Sequence, residues 1–283
     1  MKFGRVDSVE GIDLSIPKDH PKSIFDPASK GVLPPIYVGC AKWNRQDIKG
    51  FYPRGTKDEL TYYSTQFNSI ELNAVFYNYS KEQITTWRDK TPDDFKFFPK
   101  VSQRITHWGR LKDVEAEVEN YVDAIAAFDS KLGMSFAQLN ANFDAARNLD
   151  RLIDFADKWP KGVELAMEVR NPDWYEQSSF FKSLERNDLT HVITDTAGRR
   201  DLMHMRLTNP KAFVRFVGAN HLSDYRRLNE WVDRIEQWVL KGVEEINFFI
   251  HQHMEVESPL LAAHFINQLN ERLGYELTVP AQS

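Results

Sequence analysis

The chain has 283 residues, 42% hydrophobic, 27% charged and 13% aromatic, which is enough apolar material for a sizeable core. Its length fits two small domains or one large α/β barrel, and a net charge of −5 argues against general affinity for nucleic acid or an anionic membrane surface. Cys40 is the single cysteine, which excludes an intrachain disulfide and a cysteine-rich zinc site.

Residues 1–35 carry Pro17, Pro21, Pro27, Pro34 and Pro35 among scattered charges and show no sustained periodicity. They read as an irregular N-terminal arm, with a single domain expected over 36–283. The opening M-K-F-G-R-V-D lacks the apolar core of a secretory signal, and no apolar run approaches the ~20 residues that span a bilayer. A cytoplasmic protein is expected.

From Ile36 the pattern alternates. Residues 36–43 form a buried strand, 58–67 a helix, 69–77 a strand, 81–89 a helix, and 95–101 a strand that Pro99 ends. Residues 102–110 follow as a loop, then a helix at 115–128, a strand at 134–140, a helix at 149–159 and a strand at 165–171. A helix at 180–186 and a strand at 191–196 lead into a weakly patterned crossover, 197–209. A strand at 212–218, a helix at 225–240, a strand at 246–251 and a helix at 259–273 complete the chain. Eight strands, each followed by a crossover, favour a parallel sheet closed into a (β/α)8 TIM-type barrel. The phosphate-loop signature and G-x-G-x-x-G are absent from the sequence.

In such barrels chemistry sits at the C-terminal ends of the strands. Those ends supply Glu71 and Asn73, Lys100, Gln138, Glu168 and Arg170, Asp195, Arg215 and His251. Most of them interrupt otherwise apolar runs, which is costly unless the group is paired or faces a polar cavity. In S-I-E-L-N-A-V-F-Y, alternation puts Glu71, Asn73 and Val75 on one face and Ile70, Leu72 and Ala74 on the other. In A-M-E-V-R-N, Glu168 and Arg170 share a face, as either a barrel-shaping pair or a carboxylate poised for acid–base work beside a guanidinium. His107, in the loop after the third strand, is a candidate general acid. His251-x-His253 resembles half of a metal site that Glu71, Glu168 or Asp195 would complete, so a divalent metal stays open although no cofactor is required. Cys40, His191, His204 and His264 read as packing or surface groups.

The motifs Y-V-G-C-A-K-W, F-Y-P, S-I-E-L-N-A-V-F-Y, F-P-K-V with I-T-H, E-V-R-N-P-D-W, V-I-T-D-T and F-V-R-F-V-G occur in that order. Together they resemble the YecE-like family of uncharacterised proteins (domain of unknown function 72), over roughly residues 36–270. The resemblance implies a TIM barrel and brings no established reaction. It places the family's recurrent polar positions on Glu71, Asn73, Lys100, Thr106, His107, Glu168, Arg170, Trp174, Asp195 and Arg215. This chain departs from it at Val217, where the family has the histidine of R-x-H-G, and at Ile250-His251-Gln252, where the family has F-N-N.

Three functions compete. The first is a metal-independent acid–base enzyme for a small phosphorylated or carboxylated substrate. It would use Glu71, Glu168, His107 and Asp195, with Asn73, Lys100, Gln138, Arg170, Trp174, Arg215 and His251 binding the ligand. The second is a divalent-metal phosphodiesterase or sugar isomerase on Glu71, Glu168, Asp195 and His251. The third is a non-catalytic nucleic-acid or phospholigand-binding protein using Lys42, Arg45, Arg104, Trp108 and Arg110, against which the acidic net charge speaks. The sequence leaves the oligomeric state open.

Overall fold

The structure, a computed structural model, describes residues 3–281. Strands and helices alternate along most of the chain: β1 (Ile36–Cys40), α1 (Glu59–Gln66), β2 (Ser69–Leu72), α2 (Lys81–Asp89), β3 (Lys96–Pro99), α3 (Glu115–Ile125), β4 (Ser135–Gln138), α4 (Ala145–Lys158), β5 (Leu165–Glu168) and α5 (Ser178–Arg186). Then come β6 (Thr190–His191), β7 (Ile193–Thr196), β8 (Lys211–Val217), α6 (Ser223–Lys241), β9 (Glu245–His251) and α7 (Ser258–Leu273). Side chains of Asp58, Ser80 and Asp144 cap α1, α2 and α4 by accepting from the backbone N–H groups of Thr61, Gln83 and Arg147.

The strands form parallel sheets in the orders β1-β9-β8-β7, β2-β3 and β4-β5-β6. Several links join the sheets. Asn68 donates to Ile36 O (2.8 Å) and accepts from Val38 N (2.9 Å), tying β1 to the start of β2. Gly39 is needed there, since a Cβ would lie 2.3 Å from Ser69 O. Parallel bridges Phe97–Leu132 and Lys100–Phe136 join β3 to the β4 region. Val192 N donates to Met167 O (3.0 Å) between β6 and β7, so one segment passes its pairing from β5 to β8. The single strand expected at 191–196 is therefore two pieces.

One face of the strands packs with the helices in a large apolar cluster that includes Val38, Ile70, Met167, Ile193, Phe216, Phe248, Trp231 and Phe265. Side chains from all three sheets meet on the opposite face: Phe98, Phe136, Ala166, Val192, Phe213 and Phe249. Their rings lie 4.9–6.1 Å apart in tilted or edge-on pairs, a geometry worth ~0.5–1.5 kcal/mol per pair beyond burial.

Two further expectations are corrected. The strand of the S-I-E-L-N-A-V-F-Y stretch stops at Leu72: Asn73 turns into helical φ/ψ, and Ala74–Phe76 form a short 3-10 turn that buries Val75 and Phe76. The expected loop after β3 contains a wide helical turn at Arg104–Trp108, closed by Gly109 N donating to Arg104 O at 2.8 Å. The crossover 197–209 holds only a short kinked turn, Ala197–Leu202, consistent with its weak pattern.

The arm is irregular apart from one turn at Pro27–Ser29, yet it is firmly seated. Backbone hydrogen bonds run from His20 to Met205 O, from Ile24 to Leu207 O and from Asp26 to Gly242 O. Asp19 accepts from Arg234 (2.5 Å) and Trp238 (3.0 Å) on α6. At its start, Gly4 O accepts from Gly198 N (3.0 Å) and from Thr196 Oγ1 (3.2 Å). Only glycine fits there: φ is +72°, and a Cβ would fall 2.0 Å from Thr196 Oγ1.

Candidate functional site

Period-two alternation builds the site. Most residues of the enclosed aromatic face are followed, two positions later on the same strand or just past its end, by a polar group. Phe98 leads to Lys100, Phe136 to Gln138, Ala166 to Glu168, Phe213 to Arg215 and Phe249 to His251, while Ser69 leads to Glu71 on β2. A layer of charge thus stands on a layer of phenylalanine at the C-terminal ends of the strands.

Arg215 is its centre. Its guanidinium grips Glu71 bidentately, Nε to Oε2 and Nη2 to Oε1, both at 2.8 Å, and its Nη1 donates to Glu168 Oε2 at 2.6 Å. All three side chains are fully buried. Glu168 accepts a further bond from Arg170 Nε at 2.6 Å, and Glu71 accepts from Asn73 Nδ2 at 2.9 Å. His251 Nε2 lies 2.8 Å from Glu71 Oε2 and 3.2 Å from Arg215 Nη2. A carboxylate only accepts, so His251 Nε2 carries the proton and its approach to Arg215 is a contact, not a hydrogen bond. Lys100 Nζ donates to Gln138 Oε1 at 3.0 Å and sits 4.2 Å over the Phe76 ring.

These contacts set the protonation states. Burial would raise the Glu71 carboxyl, but Arg215 and His251 outweigh it and hold it well below the usual range. Burial opposes ionisation of Glu168 in the same way, and Arg170 and Arg215 hold it low. Both are therefore firm anions and weak bases. Burial, then the repulsion of Arg215, pushes Lys100 down to about 7. Burial, then Lys100, pushes His107 down to about 4, so its imidazole is neutral at pH 7 and only weakly basic, and it does not hold the proton that the expected general acid would donate. His107 Nδ1 lies 2.9 Å from Thr106 Oγ1, and its ring meets Phe76 edge-on at 4.9 Å.

Among the charged side chains of this layer, Arg170 has a buried atom left unsatisfied. Its Nη2 is closed off from solvent and has no hydrogen-bond partner among the described residues. The ring of Phe3, from the arm, lies 3.9 Å from the guanidinium carbon. Beside the cluster a cavity of about 230 Å³ is lined by Lys42, Trp43, Asn44, Glu71, Asn73 and Tyr77, among others.

Two expected site residues lie elsewhere. Asp195 shares the helix-side face of β7 with Ile193 and points away from Glu71. It accepts from Arg227 Nη2 (2.6 Å), Trp231 Nε1 (2.8 Å) and Arg200, and Arg227 also binds Asp224 at 2.9 Å. This second buried network, which the sequence reading missed, holds α6 to β7. Trp174 is wholly buried, stacked 5.8 Å from Phe143 with its indole N–H donating to Phe143 O at 2.7 Å, so it packs behind the site. The departures also acquire surroundings. Val217 is buried two residues beyond Arg215, and Gln252 bridges Asp224 (3.2 Å) and Asn220 N (2.9 Å).

The residues do not suit a metal. Arg215 stands between Glu71 and Glu168, Asp195 is in the other network, and among the described residues no three His, Cys, Asp or Glu side chains form a group able to hold an ion. Of the rim cations, Lys42 pairs with Asp47, Arg45 with Glu59 and Arg104 with Glu117, while Arg110 bonds Asn142. Little unpaired positive charge remains there for a polyanion. Among the described residues no helix is long and apolar enough to cross a membrane.

Residues 37–282 match the family described as "Protein of unknown function DUF72". The chain belongs to the DUF72 family. It is 26% identical over 273 residues to the UPF0759 protein YecE of Escherichia coli K12, covering 87% of this chain and 97% of that protein. It is 27% identical over 203 residues to the UPF0759 protein YunF of Bacillus subtilis 168, covering 65% and 71%. A DUF72 crystal structure from Thermotoga maritima superposes with a TM-score of 0.69 at 25% identity, over 83% of this chain and 99% of that one. Another, from Enterococcus faecalis, gives 0.68 at 20%, over 88% and 99%, and speaks for the fold alone. The DUF72 match starts at residue 37, so the arm and Phe3 lie outside it.

Proposed function

We propose that this DUF72 protein is an enzyme that binds a small phosphorylated or carboxylated substrate at the C-terminal ends of its strands and transforms it by acid–base catalysis. The three sheets are taken as one (β/α)8 barrel over residues 36–283, a reading supported by the links through Asn68, the β3–β4 bridges and the 190–196 segment. Arg170 receives the anionic group. Lys100, near neutrality, exchanges protons with the substrate, and neutral His107 offers it a hydrogen bond. Glu71 and Glu168, joined through Arg215, form the rigid charged frame, with Asn73 and His251 orienting it and Gln138 holding Lys100.

The observation that carries this reading is the Arg170 Nη2, a buried charged donor with no partner. Leaving such a donor unmade costs ~1–3 kcal/mol, which an anionic oxygen would recover. Titration calorimetry with inorganic phosphate and with pyruvate tests it on wild type and Arg170→Ala. Wild type is expected to bind at least one of them, about tenfold or more tighter than the variant. Equal affinities, or no binding to wild type, would sink the reading.

A further inference from the structure

We propose that Lys100 is a covalent nucleophile, which forms an iminium with a small anionic aldehyde or ketone whose charged group is held at Arg170. The second clause rests on the anion reading above; the first stands on how the charges around Lys100 are shared out.

Four charged side chains of the layer cancel. Glu71 and Glu168 supply two negative charges, Arg215 and Arg170 two positive ones, and both carboxylates are bonded to arginines. Lys100 forms no ion pair among the described residues; its Nζ bonds the neutral amide of Gln138. A protonated Lys100 would be a fifth, uncompensated charge in a site with only 7% of the residue exposed. The amine therefore has a standing population of free base at neutral pH, in line with its downward shift. Placement agrees with this. Lys100 follows β3, in the same layer as the frame, and is not wholly closed off from solvent.

The step balances without a further reagent. The Nζ lone pair attacks the carbonyl carbon, the C=O π electrons move to oxygen, which takes a proton, and nitrogen releases one. The carbinolamine hydroxyl is then protonated and leaves as water while the nitrogen lone pair forms the C=N bond. Net, amine plus carbonyl plus one proton give iminium plus water. The product is a cation, whose charge is offset by the reactant's own anionic group and by the face of the Phe76 ring. An iminium draws electrons from the neighbouring carbon, so the reaction class is proton removal, or carbon–carbon cleavage or formation, next to the carbonyl.

Borohydride trapping decides it. The 283-residue chain is incubated with pyruvate or glyceraldehyde 3-phosphate, reduced with sodium borohydride, digested and mapped by mass spectrometry, beside Lys100→Arg, which keeps the charge but forms no iminium. The expected result is a reduced adduct on the Lys100 peptide, formed several-fold faster than on exposed Lys42 or Lys57 and lost at position 100 in the variant. No adduct with either probe, or labelling of Lys100 no faster than of surface lysines, overturns the proposal. Phosphate binding by the same samples reports separately on the anion reading, so the two can fail independently.

Discussion

Arg215 and Glu71 meet through two parallel 2.8 Å hydrogen bonds, with neither side chain in reach of solvent. A pair of this kind is weak evidence for added stability, but breaking it from one side is costly. Arg215→Met leaves Glu71 and Glu168 facing each other in a dry site, so we expect a loss of ~3–5 kcal/mol. Urea unfolding measures it, and Glu71→Gln added to Arg215→Met should restore part of the loss. A single variant as stable as wild type would contradict the geometry.

Lys100 gives stability a distinctive pH dependence. In the unfolded chain its pKa returns to 10.5, against about 7 when folded. Between those values the unfolded chain holds the proton that the folded protein has released, so this group makes stability rise with pH across the window. Lys100→Met removes that slope. Its advantage over wild type, on the order of a few kcal/mol, should be largest at or below about pH 7 and shrink towards about pH 10. A gap that stays constant with pH would show that Lys100 is not perturbed.

His191 and His204 stack 3.7 Å apart, 10° from parallel, and neither ring nitrogen of His191 has a partner. Burial pushes His204 down to about 4 and His191 well below its ordinary 6.5. The unfolded chain takes up protons first as pH falls, so stability should drop from about pH 6.5 towards 4. His191→Phe, among Phe180, Phe181 and Tyr175, should flatten that drop and cost less than ~1 kcal/mol at pH 7. Thermal melts across the range check it.

Asp195 separates framework from site. Asp195→Asn takes one of two carboxylates from Arg227, leaving Asp224, and should cost ~1–3 kcal/mol, while leaving phosphate affinity at Arg170 within about twofold. A large loss of affinity in a folded variant would return Asp195 to the site.

Gly4 tests the arm. Gly4→Ala drives a Cβ into Thr196, so the start of the arm should lift while the rest of the fold keeps its melting behaviour. Hydrogen exchange should quicken at Gly198, whose N–H binds Gly4 O, and phenylglyoxal should modify Arg170 faster than in wild type. Unchanged exchange at Gly198 would mean that the seat tolerates the methyl group.

Much of the fold was legible because the helices carry a clear apolar stripe and the strands an even count. That count also held the answer for Asp195. Val192 and Phe213 are enclosed, so Thr194 and Arg215 follow them, and Asp195 falls on the other face with Ile193. Reading polar strand ends without their parity misplaced it. Trp174 was carried by motif resemblance, which says nothing of where an indole points. The satisfaction of Arg215 was beyond local reading, because its partners Glu71 and Glu168 lie 144 and 47 residues away in sequence. The turn at Asn73 was also hidden, since A-V-F continues the apolar run that β2 leaves.

The contact between Phe3 and Arg170 bears on how knowledge can be moved between relatives. The region shared with the DUF72 family begins at residue 37, whereas the ring that lies on the unsatisfied guanidinium belongs to residue 3. An activity found in a relative would therefore describe the frame of this site but not its doorway. Ligands screened against a version trimmed to the shared region would meet an Arg170 that the 283-residue chain keeps under an aromatic ring.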